Sequence, residues 1–278
     1  MNDPDGRRFA TTLTEKLQTQ ILGKPLHFFP TIDSTNTYAA RLAREGAAEG
    51  TIVVADAQSG GKGRLGRSWI SPPGVNLYLS VILRPPVATI VAPQLNLLAA
   101  VAVAEAIADV CPLLPAIKWP NDVLVNDKKV CGILAEMQTE GGALSAVILG
   151  IGVNINVPLA AFPEELREKA SSLFLEQGTE IDRSTLTARL LTHLEKSYVL
   201  WIQQGFSALR ATWEQYATWF LAKRIAVAAP EGTVRGTVLG IDDNGALLLR
   251  QEESDRVQRI IVGDVTVLGG YDRGDKET

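Results

Sequence analysis

Cysteine and histidine are scarce in this 278-residue chain, with two of each: Cys111, Cys131, His27 and His193. That number and spacing support neither a disulfide framework nor a zinc site, which draws its ligands from clusters of these residues. The two thiols are expected in or near the core of a protein in a reducing, cytoplasmic compartment. Uninterrupted apolar runs are also missing, and none approaches the roughly 20 residues that span a bilayer. The most apolar segment, Leu95 to Val110, carries Asn96, Glu105 and Asp109 and reads as a buried helix. The first residues, MNDPDGRRFATTLTEKLQ, have no apolar centre of the signal-peptide kind. Charge bias is weak, at a formal net charge of -4. The stretch before Lys24 is about one helix long, too short for the three packed helices of a helix-turn-helix domain, so that route to nucleic acid is not expected.

What is present is enough apolar material, 46% of residues, for one sizeable core and a smaller second domain. Helical spacing runs from Phe9 to Leu22, and Ser34-Thr35-Asn36 before TYAARLARE reads as a capped helix start. Strands are expected at Thr51 to Ala57, Asn76 to Leu83, Ala116 to Trp119, Val123 to Val125, Val130 to Met137 and Leu144 to Ile155, with a buried helix from about Pro93 to Val110. The corner Asn126-Asp127-Lys128 has hairpin chemistry. After Pro158 the pattern turns helical through Phe220. From Lys223 it changes to short alternating segments punctuated by Glu231-Gly232 and Asp243-Asn244-Gly245, ending in DVTVLGG, which reads as a separate small β-barrel.

One loop stands apart. GGKGRLGRSW, Gly60 to Trp69, packs four glycines and three cations into ten positions. It contains G-x-G-x-x-G, but a dinucleotide fingerprint leads directly into a helix, whereas here Pro72, Pro73, Gly74 and then a strand follow. A Walker A loop needs Ser or Thr after its lysine, and Lys62 is followed by Gly63. The remaining reading is a flexible cationic loop between two strands, suited either to an anion or to plain solvent exposure.

Three further segments favour the anion. Lys118-Trp119-Pro120-Asn121-Asp122 groups a lysine, an amide and a carboxylate at a strand end, a set suited to phosphate and magnesium. Gly150-Ile151-Gly152-Val153-Asn154 places alternating glycines in an apolar strand, which lets something approach the backbone closely. Asp33-Ser34-Thr35-Asn36 offers hydroxyls and an amide that cap a helix, contact a neutral polar ligand, or do both.

These segments jointly resemble the biotin protein ligases: DSTN, GGKGRLGRSW, KWPNDV, the Lys129-Val130-Cys131-Gly132-Ile133-Leu134-Ala135-Glu136 stretch and GIGVNIN stand in that family's order and spacing over about Thr31 to Asn156. The loop departs from the usual GRGRxGR in having Lys62 for the first arginine, which keeps the charge and loses the planar fork. The resemblance implies an α+β fold, with a central mixed or antiparallel sheet and helices of class II synthetase type over residues 1–221 and an SH3-like C-terminal barrel over residues 222–278. It is similar to the monofunctional type, without an N-terminal DNA-binding domain.

The activity implied is a two-step one. Biotin attacks the α-phosphorus of ATP to give biotinyl-5′-AMP, which then acylates a lysine of the biotin carboxyl carrier domain of a biotin-dependent carboxylase, with Mg²⁺ assisting the first step. Carried over by motif, Arg64, Lys118 and Lys129 are the expected catalytic cations. Ser34, Thr35, Asn36 and Gln58 are expected on the biotin ring and adjoining groups, and Lys62, Gly63 and Arg64 along the carboxylate and phosphate with Lys118 at their junction; Gly61, Arg67 and Asn121 are expected among the residues that bind biotin or the adenylate. Trp69 is expected at the adenine end or, alternatively, as a core aromatic, with Gly132 and Asn154 bordering the nucleotide, and Asp122 or Asn121 at the metal. The loop is expected to order on adenylate formation. The resemblance implies no nucleic-acid or membrane partner and allows a homodimer through sheet edges. A lipoate or octanoate ligase of the same fold and a non-catalytic biotin or nucleotide sensor are the rival functions.

Overall fold

The computed structural model describes residues 4–230, 232–252 and 254–268. Glu231, expected in a turn with Gly232, and Gly269 and Gly270, expected at the end of the last strand, lie outside the described residues. A seven-stranded sheet is built from β1 (Leu26–Ile32), β2 (Ile52–Gln58), β3 (Leu77–Leu83), β4 (Pro115–Lys118), β5 (Asp122–Val125), β6 (Lys128–Glu140) and β7 (Ala143–Val153), in the order β1-β2-β3-β7-β6-β5-β4. β1 and β2 run parallel and every other pair is antiparallel, which makes the sheet mixed. The expected corner between β5 and β6 is observed, with Asn126 and Asp127 both at positive φ (47° and 67°), the geometry of a two-residue hairpin turn.

The alternation of side chains along the strands separates two faces. Leu77, Leu79, Val81, Leu149, Ile151 and Val153 point to a large core shared with α3 (Gln94–Val110). Val53, Ile82 and Ile148 point to a small cluster under α2 (Thr35–Arg44). Although the run Thr89–Val110 is long and apolar enough by composition to cross a bilayer, α3 is buried along most of its length. A helix apolar on all sides is a core helix in that setting. α1 (Pro4–Lys16), α5 (Arg183–Gln204) and α6 (Ser207–Tyr216) contribute buried residues to the same cluster.

Three expectations change. β1 was not anticipated, because LHFFPTI shows no clean alternation and contains Pro30, which an edge strand tolerates. The first helix ends at Lys16 instead of Leu22 because the backbone N–H groups of Gln20, Ile21 and Leu22 donate to the Glu195 carboxylate of α5 at 2.7–2.8 Å. The segment after Pro158 is not continuously helical. Pro158 and Pro163 break it into two 3₁₀ turns, Leu159–Ala161 and Glu164–Leu166, before the short α4 (Leu173–Gln177).

The C-terminal strands β8 (Arg224–Ala229), β9 (Gly232–Ile241), β10 (Leu247–Gln251), β11 (Val257–Ile260) and β12 (Asp264–Val267) form one antiparallel sheet in the order β11-β10-β9-β8-β12. It packs against the large core: Ile225, Val227, Val238, Ile241, Leu247 and Leu249 belong to the same buried cluster as α3. Gln94 Nε2 and Trp119 Nε1 donate across the seam to the carbonyls of Asn244 (3.0 Å) and Gly245 (3.1 Å).

Candidate active site

A cavity of about 360 Å³ opens on the α2 face of the large sheet. Strand periodicity places Ser80 of β3, Gly132 and Glu136 of β6, and Gly150 and Gly152 of β7 on that face, since their sequence neighbours point into the core. Gly132 and Gly152 are cross-strand partners, and Gly152 is followed two residues back by Gly150. The result is a floor without side chains. What approaches it closely is the protein itself. A Cβ on Gly152 would stand 2.6 Å from Trp69 Nε1, one on Gly132 would stand 2.9 Å from Trp69 Cζ3, and one on Gly150 would overlap the Asn36 amide.

At one end the polar side chains that line the cavity, Ser34, Thr35, Asn36 and Gln58, are neutral and are held by each other and by groups behind them. Ser34 caps α2, accepting from Thr37 N, and the backbone N–H of Thr35 donates to Gln58 Oε1 at 2.8 Å. Thr35 Oγ1 donates to the same oxygen at 3.1 Å, and Gln58 Nε2 donates to Ser71 Oγ at 3.0 Å. Ser80 Oγ lies 2.6 Å from Asn36 Oδ1, and Asn36 Nδ2 donates to Glu136 at 2.6 Å.

At the other end cations gather. Lys62, Arg64, Arg67, Lys118 and Lys129 all line the cavity. Burial lowers the pKa of Lys118 from its ordinary value, with Asp122 opposing the shift, and Lys118 has no hydrogen-bond or ion-pair partner among the described residues. An ammonium left so in a recess favours the arrival of an anion. Burial likewise lowers the pKa of Arg64, opposed by Asp264 and Asp122; a guanidinium nonetheless stays charged. Lys129 Nζ pairs with Asp122 at 2.6 Å and lies 5.5 Å over the Trp69 ring.

The loop is tied at both ends. Leu65 takes a left-handed conformation (φ 55°), and the two flanking arginines reach the start of β12: Arg64 Nη2 donates to the Gly263 carbonyl at 2.9 Å and Arg67 pairs with Asp264. Arg64 Nη1 donates to Asn121 Oδ1 at 3.1 Å, while Asn121 Nδ2 donates to the Ile133 carbonyl at 2.8 Å. Both ends of the Asn121 amide are thus engaged, and its position holds Arg64.

Of the expected site residues, only Gly61 does not line the cavity; it forms the neck of the loop, accepting from Trp69 N at 2.9 Å, with no room for a Cβ beside the Trp69 carbonyl. Asn154 does line it, although its Nδ2 donates to the Ser171 carbonyl at 3.0 Å and so also ties down the segment after β7. Asp122 is placed beside Lys129. Among the described residues no group of three or more His, Cys, Asp or Glu side chains is arranged to hold a metal ion. One carboxylate suits a magnesium ion delivered on a polyphosphate, whose other ligands are phosphate oxygens and water.

Several residues escaped the motif reading. Phe162, Leu166 and Lys169 form a wall from the broken segment after Pro158, and Asp264 comes from the far end of the chain; no local signal marks them. Ser80, which contacts Thr35 and Asn36 from β3, did carry one, as the single aliphatic hydroxyl in LYLSVIL.

Residues 28–154 match the biotin/lipoate A/B protein ligase family, and residues 220–268 match the biotin protein ligase C terminal domain. The chain is 41% identical, over 90% of its length and 76% of the relative's, to the bifunctional ligase/repressor BirA of Bacillus subtilis. It is 33% identical, over 96% of its length and 100% of the relative's, to the biotin--[acetyl-CoA-carboxylase] ligase of Mycobacterium tuberculosis. Among solved structures it is similar to the biotin protein ligase from Aquifex aeolicus in complex with biotin and ATP, at 30% identity and a TM-score of 0.75, covering 87% of this chain and 98% of that one.

Proposed function

The chain belongs to the biotin protein ligase family, and on that premise we propose how its cavity activates biotin with ATP and transfers it to a lysine of a biotin carboxyl carrier domain. The observation that carries the reading is one cavity with a neutral, hydrogen-bonding end around Ser34, Thr35, Asn36 and Gln58 and a cationic end around Lys62, Arg64, Arg67, Lys118 and Lys129. A ureido ring suits the first end. A carboxylate meeting a triphosphate suits the second.

In the first step a carboxylate oxygen of biotin attacks the α-phosphorus, the bond to the β-phosphate breaks, and pyrophosphate leaves. Two anions must meet, so the fixed cations offset their repulsion and stabilise the charge that builds on the phosphate oxygens. Arg64 and Lys118 take that role at the α-phosphate, with Lys62 and Gly63 along the carboxylate and Lys129 behind them. Magnesium enters as part of the MgATP substrate, with Asp122 as the protein carboxylate available to it. Trp69, seated against Gly152 and Gly132, offers its ring to the adenine, and Asn154 borders it. In the second step the neutral amine of the acceptor lysine attacks the acyl carbon, the bond to phosphate breaks, AMP leaves and the amine releases a proton. The loop from Gly60 to Ser71 shields the anhydride from water until then.

In this reading residues 1–221 carry the ligase site, while the unit from residue 222 onward lends Gly263 and Asp264 to the loop. A cytoplasmic location, the absence of a nucleic-acid or membrane partner, and pairing of two copies through a sheet edge complete it. Incubation of the chain with labelled biotin, ATP and a purified carrier domain tests the proposal. Labelled carrier is expected. Label that follows lipoate instead of biotin supports the lipoate-ligase alternative, and biotin binding without pyrophosphate release supports a sensor.

A further inference from the structure

We infer that Glu136 is a positioning residue for the ring-binding end of the cavity, acting through Asn36 and Ser80 and touching no reacting atom. The inference rests on reading that end as the biotin-ring site. A primary amide can present either its oxygen or its NH₂ to a given neighbour, and the neighbours decide which. For Asn36 the decision falls to Glu136, whose carboxylate only accepts, so Nδ2 faces it at 2.6 Å. Oδ1 must then face Ser80, whose hydroxyl lies 2.6 Å away and is drawn to it as a donor.

The consequence reaches Thr35, 2.8 Å from Ser80. With the serine proton committed to Asn36, the Thr35 hydroxyl donates away from the cavity, to Ser80 Oγ or to Gln58 Oε1 (3.1 Å), an oxygen already fixed by the Thr35 backbone N–H at 2.8 Å. Thr35 Oγ1 is left with lone pairs towards the cavity, the character that a ring N–H requires. Were the Asn36 amide reversed, its NH₂ would face Ser80 and push the serine proton onto Thr35 Oγ1, weakening that acceptor. The amide cannot drift from its place without leaving Gly150, on which it lies so closely that any Cβ there would overlap it. The network is therefore set from Glu136, behind Asn36, towards Thr35, which lines the cavity.

The test uses the full chain. Glu136→Gln keeps the shape and lets the side chain donate, which permits the reversed amide. The KM for biotin is expected to rise roughly 10- to 100-fold, the range of a hydrogen bond to a charged group, while the KM for ATP and the rate of transfer from preformed biotinyl-5′-AMP stay within about twofold of wild type. Asn36→Asp, which sets two carboxylates against each other, is expected to raise the biotin KM at least as far. The pair Asn36→Asp with Glu136→Gln restores one donor and one acceptor and is expected to recover roughly tenfold over Asn36→Asp alone. An unchanged biotin KM in E136Q, a parallel rise in both KM values, loss of the fold in E136Q, or no recovery in the pair would each overturn the role of Glu136. Failure of the wild-type chain to make biotinyl-5′-AMP would instead overturn the biotin reading on which it rests.

Discussion

Replacement of Gly152 by alanine adds one methyl group to the chain and should move a side chain from another element. The new Cβ would lie 2.6 Å from both Nε1 and Cε2 of Trp69 and 3.1 Å from Cζ2. Ordinary carbon contacts begin near 3.5 Å, so the indole has to rise by about 1 Å. Rising also draws the ring away from Lys129, which lies 5.5 Å from its centroid on the Gly132 side and is held by Asp122 at 2.6 Å. Overpacking of this kind costs roughly 1–3 kcal/mol, and a weakened cation–π contact adds about 0.5–1 kcal/mol. Trp69 belongs to a partly exposed loop, so most of that cost is relieved by displacing the loop, and the sheet stays intact. The KM for ATP should therefore rise roughly 5- to 150-fold, the equivalent of about 1–3 kcal/mol, with biotin binding in the absence of ATP unchanged. Pyrophosphate release against ATP concentration, with calorimetric titration of biotin alone, separates the two quantities. Gly150→Ala provides the contrast, since its Cβ would strike Asn36 and should impair biotin instead. An alanine at position 152 that leaves the ATP dependence untouched, or that weakens biotin equally, would refute the claim that these glycines seat Trp69.

Arg64→Ala removes the donors to Asn121 Oδ1 and the Gly263 carbonyl together with one of the two cations proposed at the α-phosphate; adenylate formation in a single turnover should fall roughly 100-fold or more, as for loss of a preorganised charge-stabilising group. Asp264→Asn releases Arg67 from the β12 end, and because that pair is half-exposed the effect on activity should stay within about tenfold, while hydrogen exchange across residues 60–71 should quicken. The pH dependence of stability should show His193, held between Glu105 (3.2 Å) and Asp109 (2.8 Å). The hydrogen bond to Glu105, opposed by burial and aided by Asp109, raises its pKa above the ordinary value. The protonated form is favoured by folding, so its stabilisation is complete below the unfolded pKa of about 6.5 and is lost as pH rises through the higher folded pKa. Urea midpoints measured from acidic to alkaline pH should show this decline in the wild type and not in His193→Ala.

Much of this architecture is legible where local chemistry decides it. The β6–β7 pair, the buried α3 and the short C-terminal strands follow from periodicity alone, and the Asn126-Asp127 corner follows from the tolerance of those residues for positive φ. Where a distant partner decides, the local pattern misleads. Helical spacing continues to Leu22, yet Glu195 on another helix captures the backbone donors that would have extended α1. Pro30 argues against a strand, and only the position of β1 at the sheet edge makes it admissible.

The same division runs through the site. Motifs marked the cations, because a glycine-rich loop carrying Lys62, Arg64 and Arg67 is unusual in any setting. They could not mark Asp264, and they carried Glu136 only as the last residue of the Lys129–Glu136 stretch, with no role; the importance of both lies in what folding brings them against. The glycines at 132, 150 and 152 fall between these cases. Their alternation announces that something lies close to the strand, and a ligand is the natural first reading. The close neighbours are Trp69 and Asn36, side chains of the protein itself. In the proposed function the bare floor serves the ligand indirectly: one glycine pair sets the height of an aromatic platform for the nucleotide, and a third glycine sets the seat of an amide for the ring. Substitutions at these positions should therefore separate by substrate, a distinction that direct contact between the floor and a single ligand would not produce.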